Sequence, residues 1–212
     1  MFAQIILFLL DSVCGFLTLV LLARFTLQIV HAPFRNPLGH FVIAVTDWIV
    51  RPARRLVPGL FGYDLASLLL AWLAQAIYLG IALGLSGAFT AAFQGDLFHG
   101  VSPARPAGLS PSLESTLGVP IFMVAVLAVF ETAKIELYLL MGAVLVSAIF
   151  SWVNPYAPLA AVFNAISRPL LRPFQRFIPP LGGVDLSPLA LLLLLQIGLM
   201  LLERLRLFAI MP

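Results

Sequence analysis

One stretch of this chain is written twice, 121 residues apart. Arg51-Pro52-Ala53-Arg54-Arg55-Leu56-Val57-Pro58, then Gly62, then Asp64-Leu65-Ala66, is echoed by Arg172-Pro173-Phe174-Gln175-Arg176-Phe177-Ile178-Pro179, then Gly183, then Asp185-Leu186-Ser187. The register holds without a gap from Pro37/Pro158 to Gln75/Gln196, and 15 of the 39 paired positions are identical. A duplicated unit folds twice, so the fold must be two copies of one supersecondary arrangement. Subtracting 121 from the last residue gives two equal halves, 1–91 and 122–212, with 92–121 between them.

The solvent of those halves follows from the charges. Only 10% of the 212 residues are charged, 62% are hydrophobic, and the mean hydropathy is +1.08. A water-soluble domain carries about 25% charged residues, so this chain cannot cover a hydrated surface and belongs in a bilayer. A membrane helix needs about 20 apolar residues. Four runs supply them: about 4–30, 65–92, 130–153 and 186–208. The expected fold is therefore all-α, with four transmembrane helices as two tandem parallel repeats.

Between the two spans of each half lies a polar interruption. Phe41 to Val50 is apolar but too short to cross, and Asp47, Arg51 and Arg55 recur at a spacing of four, on one helical face. Proline inside a helix removes a backbone donor and clashes with the preceding turn. The expectation is two short amphipathic helices in the interface, joined at Pro52. Asn36-Pro37 reads as a helix start, Asn as cap and Pro in the first turn. Asp64 and Asp185 read as caps of the following spans, with Gly62 and Gly183 supplying the turn before each.

Eleven of the twelve basic residues are arginine, whose planar fork of donors suits phosphate head groups. Arg51, Arg54 and Arg55 in the first copy, with Arg168, Arg172 and Arg176 in the second, form a candidate collar for anionic lipid or for a protein partner. These loops, with Arg35 and the adjoining Arg24, outweigh Arg105, Arg204 and Arg206 on the other side. The positive-inside rule therefore puts the arginine-rich loops in the cytoplasm and both termini outside. Arg24 itself is read as snorkelling from the end of the first span to the head groups.

Polar groups inside the apolar runs are the remaining candidates. Asp11, Glu131, Lys134 and Glu136 could line a proton or ion path, or they mark the interface with 1–10 and 118–130 lying flat or outside; Glu131 and Lys134, three apart, can neutralise each other. Gln75 and Gln196, at matched positions of the second spans, read as hydrogen-bonding between helices. The three histidines lack metal-ligand spacing, and no CxxC, HExxH, Gly-rich phosphate loop or nucleophile elbow occurs. No cofactor, metal or catalytic residue is expected, and the arginines are too few and too closely set against apolar faces for direct nucleic-acid binding. The lone Cys14 makes no internal disulfide, and the start lacks the positive n-region of a cleaved signal peptide.

The duplicated order Asn-Pro, Arg-Pro-x-x-Arg, x-Pro, Gly-x-Asp and an apolar run resembles the YggT family of bacterial integral membrane proteins, whose plastid and Gram-positive relatives are called YlmG. The second copy is the closer match, with Ser151-Trp152-Val153-Asn154-Pro155, Arg168-Pro169-Leu170-Leu171-Arg172-Pro173 and Gly182-Gly183-Val184-Asp185-Leu186-Ser187-Pro188. The resemblance implies a multi-pass protein of the bacterial inner membrane with a role in envelope, division-linked or membrane-complex biogenesis, or in osmotic and ion tolerance. No catalytic residues are defined for that family, so none are carried over. Two readings follow. One is a non-enzymatic scaffold or assembly factor that engages lipid head groups and a membrane-protein partner, or copies of itself. The other is a small ion channel or transporter subunit using the intramembrane polar residues.

Overall fold

The computed structural model describes residues 2–32, 36–56, 64–97, 113–154, 156–177 and 185–210. Gly62 and Gly183, the expected turn residues, lie outside them, as do Arg35 and Arg105. The described residues form six helices and no strand: α1 (Phe2–Ile29), α2 (Pro37–Leu56), α3 (Leu65–Leu97), α4 (Leu113–Val153), α5 (Ala160–Phe177) and α6 (Ser187–Ile210). Helices satisfy their own backbone groups, as a hydrocarbon surround demands. Four of them are long and apolar enough to cross a membrane, over Gln4–Ile29, Leu65–Gly84, Ile121–Val153 and Ser187–Ala209. The third candidate span starts earlier than the sequence suggests, because α4 runs unbroken through Glu131, Lys134 and Glu136.

Each half is an antiparallel pair. Along α1 and α3, Arg24 meets Asp64, Thr18 meets Gln75, and Asp11 meets Tyr78, so numbers fall on one helix as they rise on the other. Along α4 and α6, Val144 packs in one cluster with Leu191 and Leu195, while Glu131 meets Arg206. The surfaces between α1 and α3 carry small side chains, Thr18, Ser67, Ala71 and Ala74 among them, all buried. Small residues let backbones approach closely where lipid gives no hydrophobic drive for association. Bulky side chains such as Phe8, Phe16, Ile77, Leu193 and Met200 point outward instead.

α2 and α5 share one end of the bundle. A single apolar cluster joins Leu27 of α1, Val42 of α2, Ala143 of α4, and Val162 and Ile166 of α5. Both amphipathic helices thus pack their apolar faces on the same floor, which is what two repeats inserted in the same sense require.

α2 corrects one expectation. It is one helix from Pro37 to Leu56, with Pro52 inside it, not two helices joined there. α5 likewise holds Pro169 and Pro173. The physical reason is the side on which the prolines sit. Pro52 lies on the exposed face and the residue four before it, Trp48, is also exposed. The carbonyl that loses its partner therefore faces water or head groups, which replace the missing donor.

The turn out of α1 is set by His31, whose φ is 52°. His31 N–H donates to Gln28 O at 3.1 Å and Ala32 N–H to Leu27 O at 2.9 Å, a Schellman close, with Ala32 buried beneath it. The chain then re-enters a helix at Asn36, whose Oδ1 accepts from the Gly39 N–H at 2.7 Å. That satisfies one of the open donors at the start of α2.

Candidate functional site

The first site is an ionic knot that ties α2 to both spans of the first half. Arg24 is 7% exposed, so it does not snorkel to the surface as its place near the end of an apolar run suggests. Its Nη1 donates to Thr46 Oγ1 at 2.7 Å and to Asp47 Oδ1 at 2.8 Å, both on α2. Its Nε lies 3.6 Å from Asp64 Oδ2 at the head of α3. Asp64 is buried too, and Arg54 donates to it from α2 through both Nε, at 3.2 Å, and Nη2, at 2.5 Å. Asp64 thus does more than begin a helix: its carbonyl accepts from Ser67 N–H at 3.0 Å, and its carboxylate takes the Ser67 hydroxyl at 2.8 Å and the two arginines. A carboxylate and a guanidinium out of water need such partners, because either one alone carries a large desolvation cost.

The titration of these groups follows from the geometry. Burial alone would raise the Asp64 carboxyl, but the hydrogen bonds from Arg54 and Ser67 and the charges of Arg54 and Arg24 hold it below the ordinary range. The Arg24 hydrogen bond does the same for Asp47, against a smaller desolvation effect.

The second half keeps the carboxylate, as Asp185, and drops the arginines that pair with it. With 121 added, Arg24, Asp47 and Arg54 become Leu145, Arg168 and Gln175. Gln175 Nε2 donates to Asp185 Oδ2 at 3.0 Å, where Arg54 meets Asp64 in the first copy. Asp185 Oδ1 accepts the Ser187 N–H at 2.9 Å, at the first residue of α6. Where α4 meets α5, the second half uses a neutral bond, Ser147 Oγ to Asn164 Oδ1 at 2.6 Å.

The arginines expected to form a collar divide by partner. Arg54 is committed to Asp64. Arg51 is 79% exposed and reaches back to Asp47 at 2.8 Å, one turn away. Arg55, Arg168, Arg172 and Arg176 are exposed and make no ion pair among the described residues. Together with exposed Trp48 and Trp152 at the same end, they make a basic and aromatic rim of the kind found at bilayer interfaces.

The opposite end holds the other intramembrane candidates. Lys134 bridges to Glu131 at 2.6 Å, Arg206 reaches Glu131 at 2.8 Å, and Glu203 lies 3.9 Å from Lys134 and 3.8 Å from Arg206. These four alternate in sign and tie α4 to α6. Asp11 shares a hydrogen bond with Tyr78, and Glu131 is within electrostatic reach of that pair. The two glutamines differ: Gln75 is buried and donates to Thr18 Oγ1 at 3.0 Å across α1 and α3, whereas Gln196 is exposed. Among the described residues no group of three or more metal-ligating side chains occurs. Glu136, a candidate from the sequence alongside Glu131 and Lys134, lies in the wall between the halves, where Thr26 Oγ1 donates to its Oε1 at 2.8 Å.

A family profile described as CCB3/YggT matches residues 3–85 and 126–206, one segment in each half. The chain belongs to the CCB3/YggT family. Each matched segment covers most of one span pair, and the unmatched stretch between them, 86–125, takes in the connector. Among relatives, the uncharacterized protein YggT of Escherichia coli K12 is 34% identical over 195 residues, covering 90% of this chain and 85% of its own. The uncharacterized protein PA0392 of Pseudomonas aeruginosa is 33% identical over 192 residues, with 90% and 84% covered. An uncharacterized protein of Haemophilus influenzae is 29% identical over 185 residues, with 87% and 83% covered. No solved structure matches. The family assignment thus fixes the two-repeat membrane architecture, and none of these relatives' names describes an enzyme.

Proposed function

We propose that this CCB3/YggT protein is a non-enzymatic scaffold of the bacterial inner membrane, with α2 and α5 forming a cytoplasmic collar that engages anionic head groups and a membrane-protein partner. One observation carries the reading. Both amphipathic helices sit on a common apolar floor at one end of the bundle, and Arg55, Arg168, Arg172 and Arg176 are left exposed there. Each such arginine near an anionic surface contributes about 1 kcal/mol of attraction. The ionic knot at Arg24 supports this arrangement. It fixes α2 to α1 and α3, so Arg55 is presented in a set pose rather than on a loose strap.

A channel or transporter role has less support. Glu131, its main candidate, is already neutralised by Lys134 and Arg206. The discriminating experiment places a photoreactive residue at position 55 or 176 and identifies what is captured in intact membranes. Capture of one protein from both positions supports the scaffold. Lipid adducts alone, together with ion flux in proteoliposomes that Glu131→Gln abolishes, would replace the scaffold with transport.

A further inference from the structure

The two halves treat one flank of their amphipathic helices differently. In the first half, Arg24 lies along the α2 flank that carries Asp47 and Arg54; it is buried there and bonded to Thr46 and Asp47. In the second half leucine stands at the position of Arg24, and this Leu145 is 50% exposed. Arg168 stands at the position of Asp47, and Gln175 at that of Arg54. The matching flank of α5 is an open cleft of about 620 Å³, lined by Ser147 of α4 and by Asn164, Ala165, Arg168, Leu171 and Gln175 of α5. Positions 164, 168, 171 and 175 recur at helical spacing, so they share one face.

The groups on that face offer donors. Arg168 is exposed and makes no ion pair among the described residues. Asp185, beside Gln175, is engaged by the Gln175 amide and the Ser187 N–H instead. Ser147 Oγ donates to Asn164 Oδ1 at 2.6 Å. That bond occupies the carbonyl edge of Asn164 and leaves its two amide N–H groups for another acceptor. A guanidinium and a carboxamide, one turn apart, thus face an opening with charge +1.

The depth suits an anion. Asn164 and Arg168 belong to α5, which is not among the four candidate spans. Ser147 is about 9 Å of helix from the end of α4 at Val153, and the exposed Trp152 marks the interface there. A phosphate group meets these terms. The planar fork of an arginine takes two of its oxygens, and an amide takes a third. We propose that this cleft seats one phosphate group, carried by an anionic phospholipid or by a soluble phosphate ester, with Arg168 and Asn164 as its donors. The proposal rests on the collar reading, because Arg168 is a collar residue, but it assigns one discrete seat where the collar alone gives a field shared by several arginines.

Native mass spectrometry of the full, delipidated chain in a neutral detergent tests it, at physiological ionic strength. Phosphatidylglycerol is titrated in and the first bound molecule is counted. The expected result is a saturable first step that Arg168→Gln weakens about tenfold, the size of one charge-assisted hydrogen bond. Arg176 is about 12 Å further along α5, beyond the screening length of about 8 Å, so Arg176→Gln should weaken it by no more than about twofold. Asn164→Asp keeps an acceptor for Ser147 but brings a carboxylate that repels phosphate and pairs with Arg168 one turn away; it should abolish the step. Displacement of the bound lipid by glycerol phosphate would show that a soluble ester takes the seat, and retention would assign the seat to lipid. Equal weakening by Arg168→Gln and Arg176→Gln would overturn the seat and leave the collar standing. First-step binding of oleate as tight as that of phosphatidylglycerol would overturn it too, because a carboxylate would then serve as well as a phosphate.

Discussion

Replacing Arg24 with leucine, the residue at the paired position 145 in the second half, tests the ionic knot directly. Arg24 is nearly buried, and its Nη1 bonds to Thr46 and Asp47 are 2.7 and 2.8 Å. Asp64 keeps Arg54 and Ser67 after the change, so its loss is small. Asp47 keeps only Arg51, which is 79% exposed and so contributes little. The cost is then about two charge-assisted bonds at roughly 1.5–3 kcal/mol each, offset by the burial of a leucine at about 1.5–3 kcal/mol. A net destabilisation of about 2–3 kcal/mol is expected. Adding Asp47→Asn should cost little more, because the bond it would break is already gone; the two changes should fall short of additivity by at least about 1.5 kcal/mol. Leu145→Ala, at an exposed paired position, should cost no more than about 0.5 kcal/mol. Unfolding in mixed micelles, titrated with an anionic detergent and followed by circular dichroism, measures these three variants and Asp47→Asn alone. An Arg24→Leu protein within about 0.5 kcal/mol of the parent, or full additivity in the double variant, would refute the reasoning.

Three other outcomes are expected. Gln75→Leu should cost about 0.6–1.7 kcal/mol, the range for one hydrogen bond between membrane helices, whereas Gln196→Leu should be neutral; the same micellar unfolding separates them. His31→Gly should stabilise by up to about 1 kcal/mol, since glycine adopts φ near 52° without the Cβ clash, and the unfolding midpoint should rise. Asp47 and Asp64 are held below their ordinary pKa, so their stabilising contribution is complete above the unfolded value of about 3.9 and is lost as pH falls through the folded values. Stability should therefore be flat in their contribution from about pH 7 to 5 and fall below about pH 4, with a smaller fall in Arg24→Leu.

Much of this molecule is legible as sequence because its constraints are strong ones. Four apolar runs in a chain with 10% charge permit only spanning helices, and a gapless repeat permits only two similar halves. The arginine spacing in 51–55 and 172–176 points to amphipathic helices, which α2 and α5 are. Three features escape the sequence for local reasons. Arg24 near the end of an apolar run looks like a snorkelling side chain, and only the packing of α2 across it buries it. The signal that could reveal the knot is joint departure between copies: Arg24, Asp47 and Arg54 all change together, to Leu145, Arg168 and Gln175. Pro52 reads as a helix breaker because the sequence does not show that the orphaned carbonyl faces outward. Glu136 stands out in the sequence only as one of several ionisable groups in an apolar run, and its place in the wall between the halves depends on how α4 crosses α1, which no repeat pattern encodes.

The claim beneath the proposed function is that the two amphipathic helices lie on one and the same face of the bilayer. Single cysteines at positions 55 and 176, in a chain with Cys14→Ser, can be labelled by a membrane-impermeant maleimide in intact and in inverted membrane vesicles. Labelling of both positions only when the cytoplasmic face is outward is the predicted result; labelling of the two from opposite faces would contradict the account.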